Sequence, residues 1–303
     1  MVDLQVTAPP GLEEEWHRVA GVPHMAKRRC MQGNRSRHRM GAVLACVMAG
    51  GCAAAGQVDP AAVRGTHPTS LNGAVWQRWG LTPLPAAPKP PGDKPVKLSL
   101  NGSVPVFSRV PTIQKVVFIT IDDGLAKDPK FVEMLRDLRI PITMFLTNDA
   151  IKSNYGYFKR LQALGNHIQN HTLHHLAMNN LPLDRQKEEV CGAQRILTKQ
   201  YATPALLFRP PYGAYNDNTK AAVGKCGPRA IVCWREYMRI TGLRYQEADK
   251  KLRPGDIIVT HFLGPDDPET ATMTNMFRKL LKSIQKQGFA VARLEDYIEP
   301  PRS

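Results

Sequence analysis

Two adjacent aspartates, Asp122 and Asp123, end an apolar run of strand-forming residues, Val-Val-Phe-Ile-Thr-Ile. Neighbouring carboxylates repel each other, so both stay ionised only where a cation or a basic side chain lies close. Farther along, His171-Thr-Leu-His-His175 places two histidines four residues apart. One helical turn would point both imidazoles the same way. With the Asp123 carboxylate they would form a two-histidine, one-carboxylate site, which suits catalytic Zn²⁺ and also serves other divalent metals.

Each of these motifs has a simpler interpretation when it stands alone. Asp-Asp-Gly is more often a turn than a site, and His174, three residues from His171, leaves the choice of the second imidazole open. Two further features change the balance: Arg209, in Arg-Pro-Pro-Tyr-Gly, and His261, at the end of another apolar run. Paired carboxylates, spaced histidines, an arginine and a distant histidine together predict a metal-dependent hydrolase.

Strand-like and helix-like segments alternate from residue 113 onward, which predicts an α/β fold with a parallel sheet, open or closed into a barrel. The predicted strands are Val116–Ile121, Ile142–Leu146, His167–His171, Leu206–Arg209, Ala230–Trp234, Asp256–His261 and Phe289–Leu294. The predicted helices are Pro129–Leu138, Tyr157–Leu164, Leu183–Tyr201, Asp217–Gly224, Tyr245–Leu252 and Thr272–Gln287. Asp184 and Asn216 stand where helix N-caps are expected, and Gly288 where a helix would end.

The polar residues fall at one place in this pattern. The residues at or just after the C-terminal ends of predicted strands are Asp122, Asp123, His171, Arg209, Trp234 and His261. Those ends share one face of a parallel barrel, where active sites are built. The pattern therefore predicts that residues far apart in sequence meet at one site.

The charge of the chain is high and unevenly spread. Its 303 residues carry a formal net charge of +15. From residue 113 onward there are 28 Lys and Arg against 20 Asp and Glu, a net +8. No basic stripe with interleaved aromatics occurs, so we expect no nucleic-acid partner. A basic surface could meet an anionic cell-wall glycan, or be a solvated face with no specific partner.

Residues 1–52 predict an N-terminal extension with an export signal. Basic residues between Lys27 and Arg39 precede an apolar stretch that is too short to span a membrane. The stretch ends at Ala49-Gly-Gly-Cys52, which resembles a bacterial lipoprotein cleavage box with Cys52 as the lipidated residue. We expect an exported protein, either a membrane lipoprotein facing the cell wall or a secreted one. Residues before Met25 fit no signal pattern, so translation could start at Met25.

Residues 53–112 are rich in Ala, Pro and Gly. This composition predicts a semi-extended spacer that buries no core. Residues 113–303 would then form the catalytic domain, which we expect to be a monomer joined to a membrane only through Cys52.

Three cysteines lie beyond the signal region: Cys191, Cys226 and Cys233. An exported protein meets an oxidising environment, where cysteines form disulfides. The sequence alone leaves the pairing of these three cysteines open. The disulfide that we prefer is Cys191–Cys226, which would join two helices and leave Cys233 buried as a small apolar residue.

Four motifs, in order, resemble those of the polysaccharide deacetylases, also called the NodB-homology domain or carbohydrate esterase family four. Thr120-Ile-Asp-Asp-Gly124 corresponds to Thr-Phe-Asp-Asp-Gly, and His171-Thr-Leu-His-His175, preceded by Asn170, to His-Ser/Thr-x-x-His. Arg209-Pro-Pro-Tyr-Gly213 corresponds to Arg-x-Pro-Tyr/Phe-Gly, and Val259-Thr-His261 to Leu-x-His. The resemblance covers residues 115–298 and implies a distorted (β/α) barrel with fewer than eight complete units.

The resemblance also implies roles for the residues of these motifs. The implied metal ligands are Asp123, His171 and His175, holding Zn²⁺ or alternatively Co²⁺. The implied catalytic residues are Asp122 as general base, His261 as general acid, Arg209 holding Asp122, and Tyr212, whose backbone N–H binds the oxyanion. The implied substrate is an N-acetylated glycan, either peptidoglycan or a chitin-like polymer.

The fourth motif of the family departs from its usual pattern. An aspartate that pairs with the motif arginine or tunes the acidic histidine would align with Tyr237, and Glu236 could replace it by a small shift. Smaller departures are Ile121 for Phe and Gln169 for Gly. Two other functions stay open: an O-acetyl esterase acting on xylan with the same site, and a glycan-binding pseudoenzyme that keeps the metal without turnover.

Overall fold

One strand, Val116–Asp123, lies at the centre of the fold because seven of its eight residues are buried. A continuous apolar run without alternation is typical of a strand covered on both faces. The computed structural model describes residues 69–101, 103–263 and 271–301. None of the helices in these ranges is long and apolar enough to cross a membrane.

The strands are β1 (Val96–Lys97), β2 (Val106–Phe107), β3 (Val116–Asp123), β4 (Thr143–Leu146), β5 (His167–Asn170), β6 (Leu207–Phe208), β7 (Ala230–Val232), β8 (Glu236–Arg239), β9 (Gly242–Tyr245), β10 (Ile257–His261), β11 (Ala290–Val291) and β12 (Ile298–Glu299). The α-helices are α1 (Thr69–Arg78), α2 (Pro129–Leu138), α3 (Asn148–Ile151), α4 (Tyr155–Ala163), α5 (Leu183–Tyr201), α6 (Asp217–Cys226) and α7 (Met273–Lys286). Short 3₁₀ turns lie at Met178–Asn180, Pro211–Gly213 and Leu294–Tyr297.

The main sheet has the strand order β2-β7-β6-β5-β4-β3-β10-β8-β9, with β11 paired to the start of β3. Its neighbours are parallel except for the antiparallel β8–β9 hairpin. The sheet curls into a half-barrel. The predicted α/β class and the distorted barrel with fewer than eight complete units are confirmed.

Two apolar layers cover the two faces of this sheet. The concave interior is filled by side chains such as Phe118, Phe145 and Ile257. The outer face packs against the helices through a larger cluster that includes Ile119 and Phe277. Because side chains alternate along β3, Asp122 falls on the same face as Phe118 and lies at the top of the concave interior.

Gln169, the residue that replaces the family's glycine, cross-links strands within the barrel. Its carbonyl oxygen accepts hydrogen bonds from the backbone N–H groups of Leu206 and Leu207, both at 2.9 Å. Its amide donates to the Glu295 carboxylate at 3.0 Å, which also accepts from the Thr143 hydroxyl. Gln169, in place of the glycine of the family pattern, therefore stabilises the interior of the barrel.

Most predicted elements are found, and two predictions about them are wrong. The stretch Tyr245–Leu252 is not a helix, since β8 and β9 form a hairpin and turns follow it. The register of the hairpin, with Arg239 opposite Gly242, leaves a two-residue loop that the sequence analysis missed. Asp184 is not an N-cap, because α5 begins one residue earlier, after the extended Pro182. Asn216, in contrast, makes a full capping box with Thr219.

The prediction that residues 53–112 bury no core is wrong for the part that the structure describes. Trp76 and Leu81 pack into the outer apolar cluster, and Val96 and Val110 into the inner one. β1 and β2 also pair with β12 and β7. A few well-placed apolar side chains anchor a segment whose average composition is that of a spacer. The predicted signal region and Cys52 lie outside the described residues.

The predicted disulfide between Cys191 and Cys226 is present. It joins α5 to α6, two helices that cover the same edge of the half-barrel. Cys233 is buried. It is itself disulfide-bonded, so the prediction that it is only a small apolar residue is wrong.

Candidate active site

The turn after β3 brings two successive carboxylates to one place. Strand alternation would send them to opposite faces, but Asp123 adopts a left-handed backbone conformation with φ of 71°. Asp122 Oδ2 and Asp123 Oδ1 consequently both approach His171 Nε2, at 3.9 and 3.5 Å. Gly124 follows with φ of 108°, and a Cβ there would lie 2.4 Å from Ile151 Cγ2. Only glycine fits at this position.

The candidate metal site consists of Asp123, His171 and His175. One ligand atom from each residue lies within 4.8 Å of the other two. Asp123 Oδ1 is 3.2 Å from His175 Nε2 and 3.5 Å from His171 Nε2. This oxygen is buried and receives no well-oriented hydrogen bond within the described residues. A buried, unsatisfied carboxylate oxygen facing two imidazole nitrogens fits a divalent cation.

The second nitrogen of each imidazole is engaged elsewhere. His171 Nδ1 lies 2.7 Å from the carbonyl oxygen of Arg209. Because a carbonyl only accepts, Nδ1 carries the proton and the lone pair of neutral His171 is on Nε2, facing Asp123. His175 Nδ1 lies 3.2 Å from the Tyr212 hydroxyl, whose ring packs against it. Such contacts to the outer nitrogen orient imidazole ligands in metal sites.

His171 and His175 are not brought together by a helical turn, so that prediction is wrong. Residues 171–175 form a loop after β5, and Thr172 and His175 both adopt left-handed conformations, with φ of 76° and 56°. The loop also settles which second histidine faces the carboxylate. His174 points to the rim, where its Nδ1 lies 2.6 Å from Asp149.

The electrostatics of the site favour a cation. Burial raises the pKa of Asp123, but the adjacent imidazoles of His171 and His175 outweigh this effect and leave that pKa well below its usual range. Burial lowers the pKa of His171, and the carboxylates of Asp122 and Asp123 outweigh this effect and raise it. A proton and a metal ion therefore compete for this site, so metal affinity should fall in acid.

Arg209, which follows β6, is fully buried beside the metal site. Its Nη1 donates to Asp122 Oδ1 and to Thr120 Oγ1, both at 2.7 Å. The remaining donors reach the carbonyl oxygens of residues 232 and 233. The guanidinium also lies 4.2 Å from the centre of the Phe145 ring and 5.6 Å from that of Trp234. Asp122 is therefore neutralised by arginine, and Asp123 is left for the cation.

His261 ends β10 directly opposite Asp122 in the paired strands. Burial lowers its pKa, while the charges of Asp123 and Asp122 act in the opposite direction. Tyr237 of β8 packs edge-on against it, with ring centres 5.4 Å apart. Arg239 in turn lies 5.2 Å from the centre of the Tyr237 ring. An aromatic side chain thus occupies the place beside His261 where the family pattern leads us to expect an acid.

Glu236 does not supply that acid. Its carboxylate is buried beside Asp256. In the pairing of β8 with β10, Glu236 lies opposite Ile258, three residues before His261. Within the described residues Arg209 contacts one carboxylate, that of Asp122, and Thr120 and two carbonyls take its other donors. The suggestion that Glu236 takes over by a small shift is therefore wrong. Strand alternation places neighbouring residues 236 and 237 on opposite faces.

Glu236 should make the stability of the protein depend on pH. Burial, followed by the Asp256 carboxylate, raises its pKa from 4.5 to about 9, against the opposing charges of Arg109 and Arg235. The folded protein thus keeps a proton that the unfolded chain releases, so stability falls as the pH rises between these values. Urea denaturation should therefore show that the free energy of unfolding of Glu236→Gln, taken relative to that of wild type, is higher at pH 8 than at pH 5. Glu133→Gln, at an exposed position, is the control, and its difference in free energy of unfolding from wild type should be the same at pH 5 and pH 8.

Sequence reasoning missed two residues that support the site. Thr120 accepts from Arg209 and donates to the Ile258 carbonyl at 2.9 Å, which fixes the arginine between two strands. Glu189 of α5 accepts from the backbone of the histidine loop. Thr120 could have been found, since it precedes Asp122 by two residues and therefore shares its face of β3. Glu189 gave no signal, because a Glu-Glu pair in a helix is typical of a solvated face.

The comparisons with known proteins agree with this geometry. The family model described as Polysaccharide deacetylase matches residues 109–231, which contain three of the four motifs. The chain belongs to the polysaccharide deacetylase family. Among its relatives is an uncharacterized protein of Streptomyces coelicolor, 40% identical over 195 residues, or 64% of this chain and 77% of that protein. A peptidoglycan-N-acetylglucosamine deacetylase of Bacillus cereus is 26% identical over 62% of this chain and 91% of that protein.

Solved structures of other polysaccharide deacetylase family members share the fold of this protein. One is a peptidoglycan N-acetylglucosamine deacetylase in complex with a substituted N-oxidanyl-benzamide, with a TM-score of 0.55 and 21% identity over 66% of this chain and 96% of that one. Another is a mutant of a family pseudoenzyme with restored activity, with a TM-score of 0.55 and 20% identity over 67% of this chain and 74% of that one. At this identity the likeness concerns the fold.

Proposed function

We propose that this protein is a metal-dependent hydrolase that removes N-acetyl groups from a cell-wall or extracellular polysaccharide. The observation that carries the proposal is the convergence of Asp123, His171 and His175 within 4.8 Å beside the buried Asp122–Arg209 pair. The names of the relatives support the substrate class, since they include deacetylases of peptidoglycan and of chitooligosaccharides. Peptidoglycan is our first candidate, and a chitin-like glycan the second.

Asp123, His171 and His175 would hold the divalent metal, Zn²⁺ or Co²⁺. A divalent cation at such a site lowers the pKa of water and polarises a carbonyl group. Asp122 takes the proton from the attacking water, and its hydrogen bond from Arg209 keeps the carboxylate aimed. Asp122 and His261 lie opposite each other on paired strands, which suits a base and an acid on either side of the reacting carbon.

The remaining steps fall to His261 and Tyr212. His261 gives its proton to the leaving amine, which is a poor leaving group until it is protonated. The backbone N–H of Tyr212, held in a left-handed conformation with φ of 61°, donates to the developing oxyanion. The exposed side chain of Tyr212 lies at the mouth of the site and provides a surface for a sugar ring.

The decisive experiment measures acetate release from peptidoglycan, N-acetylglucosamine oligomers and acetylxylan. We expect release from one of the N-acetylated substrates, loss of activity with a chelator, and recovery with added Zn²⁺ or Co²⁺. Activity that survives complete removal of metal contradicts the proposal. Release from acetylxylan alone would instead identify an O-acetyl esterase. Metal binding without release from any of the three would identify a pseudoenzyme.

We further propose that the protein is exported and tethered through Cys52, so that the catalytic domain faces the cell wall. The basic and apolar segments of residues 27–52 support this proposal. In a bacterial host, Cys52→Ser should move the protein from the membrane fraction to the soluble fraction, as followed by immunoblotting. The matched change Cys46→Ser lies within the apolar stretch and should leave the protein in the membrane. Equal fractionation of the two variants would argue against lipidation.

A further inference from the structure

The loop that carries the candidate ligands His171 and His175 has an unfavourable backbone. Thr172, with φ of 76°, and His175, with φ of 56°, are both left-handed. Left-handed conformations are disfavoured for residues with a Cβ, and β-branched Thr is especially restricted. Such conformations persist only where the surroundings over-determine them. The loop must therefore be held from outside.

Glu189 of α5 holds this loop through its backbone. Glu189 is 1% exposed, and its Oε2 accepts hydrogen bonds from the N–H of Leu173 at 3.1 Å and of His174 at 2.9 Å. These two N–H groups lie between the two left-handed residues. Successive backbone N–H groups that converge in this way form a nest for an anion. Here the anion is a carboxylate of the protein itself.

The same turn of α5 makes two more contacts with the loop and its strand. A Cβ at Gly192 would lie 2.4 Å from Leu173 Cδ1, so the missing side chain provides the space that Leu173 fills. Asn170, at the end of β5, donates to the Val190 carbonyl at 3.0 Å. Cys191, within this turn, is bonded to Cys226 of α6, which fixes the helix in place.

We propose that Glu189 is a positioning residue for the candidate metal site. By binding the N–H groups of Leu173 and His174, its carboxylate selects the loop conformation that presents His171 and His175 to Asp123. Within the described residues the Glu189 carboxylate has hydrogen bonds to the backbone of the loop and none to the three ligand side chains, so it acts through the backbone. The inference rests on the proposed function only in that these three residues bind a divalent metal.

Co²⁺ binding to the purified full-length protein tests this role. The readouts are the visible absorption spectrum of bound Co²⁺ and the affinity from competition with a chelating dye. We expect Glu189→Ala to lower the affinity about 10–100-fold, the usual effect of removing a group that orients metal ligands. Glu189→Gln should stay within a few-fold of wild type, because its amide oxygen still accepts both hydrogen bonds. Glu189→Asp should resemble Glu189→Ala, because its charge is kept but withdrawn by one methylene.

Glu188→Ala is the matched control. Glu188 precedes Glu189 on α5, is exposed and pairs with Arg185, so its removal should leave both readouts unchanged. A folded Glu189→Ala with the affinity and spectrum of wild type would overturn the proposal, as would an equal loss in Glu188→Ala. If Glu189→Ala does not fold, Glu189→Asp against Glu189→Gln decides the question, since equal affinities for those two contradict the proposal.

Hydrogen exchange supplies a readout that needs no metal. The amides of Leu173 and His174 should exchange faster in Glu189→Asp than in wild type or Glu188→Ala, in metal-free protein of equal global stability. Unchanged exchange would overturn the proposal even if the wild type takes up no Co²⁺. A wild type that binds Co²⁺ but releases no acetate would contradict the proposed function and leave the role of Glu189 standing.

Discussion

Asp122→Asn should lower kcat for acetate release about 10²–10⁴-fold, which is the usual contribution of a general base. Asparagine has the shape of aspartate, and its carbonyl oxygen can still accept from Arg209 Nη1, now 2.7 Å from the carboxylate. It cannot take a proton from water. The loss should appear in kcat with little change in KM, because an interaction made in the transition state is removed.

The affinity for metal separates this effect from damage to the site. Asp122 Oδ2 lies 3.9 Å from His171 Nε2, and Asp122 is not one of the three clustered ligands. Asp122→Asn should therefore bind Zn²⁺ about as tightly as wild type. Asp149→Asn is the matched control, since Asp149 lies on the rim with His174 and Lys152. An Asp122→Asn protein that binds metal and keeps more than a third of its activity would show that Asp122 is not the base.

Arg209→Met should lower the free energy of unfolding by about 3–5 kcal/mol, the usual effect of removing one partner of a buried ion pair. Arg209 and Asp122 are among the most deeply buried charged residues, with side chains 0% and 2% exposed. Methionine fills much of the space between the rings of Phe145 and Trp234 but leaves the Asp122 carboxylate without its arginine. Urea denaturation measures this difference in the free energy of unfolding, and the m-value should be the same for variant and wild type.

A double-mutant cycle distinguishes an unpaired charge from poor packing. If the lost pairing dominates, Arg209→Met combined with Asp122→Asn should be more stable than Arg209→Met alone, because no buried charge is left behind. Strictly additive losses would show that the pair contributes little. Arg229→Met is a useful control, since this arginine is half-buried and donates to the Gly224 carbonyl. Its loss should stay near the 0.5–1.5 kcal/mol of an ordinary hydrogen bond, taken as an order of magnitude.

Much of the fold follows from local patterns in the sequence. The apolar run that forms β3 and the amphipathic helices α2 and α5 have the predicted bounds, or nearly so, because burial on one or both faces dictates the residue type at each position. The hairpin β8–β9 was missed for the opposite reason. Its strands are short and partly exposed, and its pairing is stabilised by neighbours far away in sequence.

The candidate site shows the same division. The order and spacing of the motifs identified the residues, since a parallel sheet brings its strand ends together whatever the details of packing. They could not identify the geometry. The histidines converge through a loop with two left-handed residues, and that loop depends on a carboxylate of α5.

Asp122 and Asp123 show what the sequence can predict and what requires the tertiary structure. The sequence by itself determined the α/β class and the family, and it predicted the site residues Asp122, Asp123, His171, His175, Arg209 and His261. The tertiary structure alone decided that Tyr237 and not Glu236 stands beside His261, that Cys191 pairs with Cys226, and that residues before 113 join the core. The physical reason is that strand order and alternation are local properties, whereas backbone strain and burial depend on what the rest of the chain places nearby.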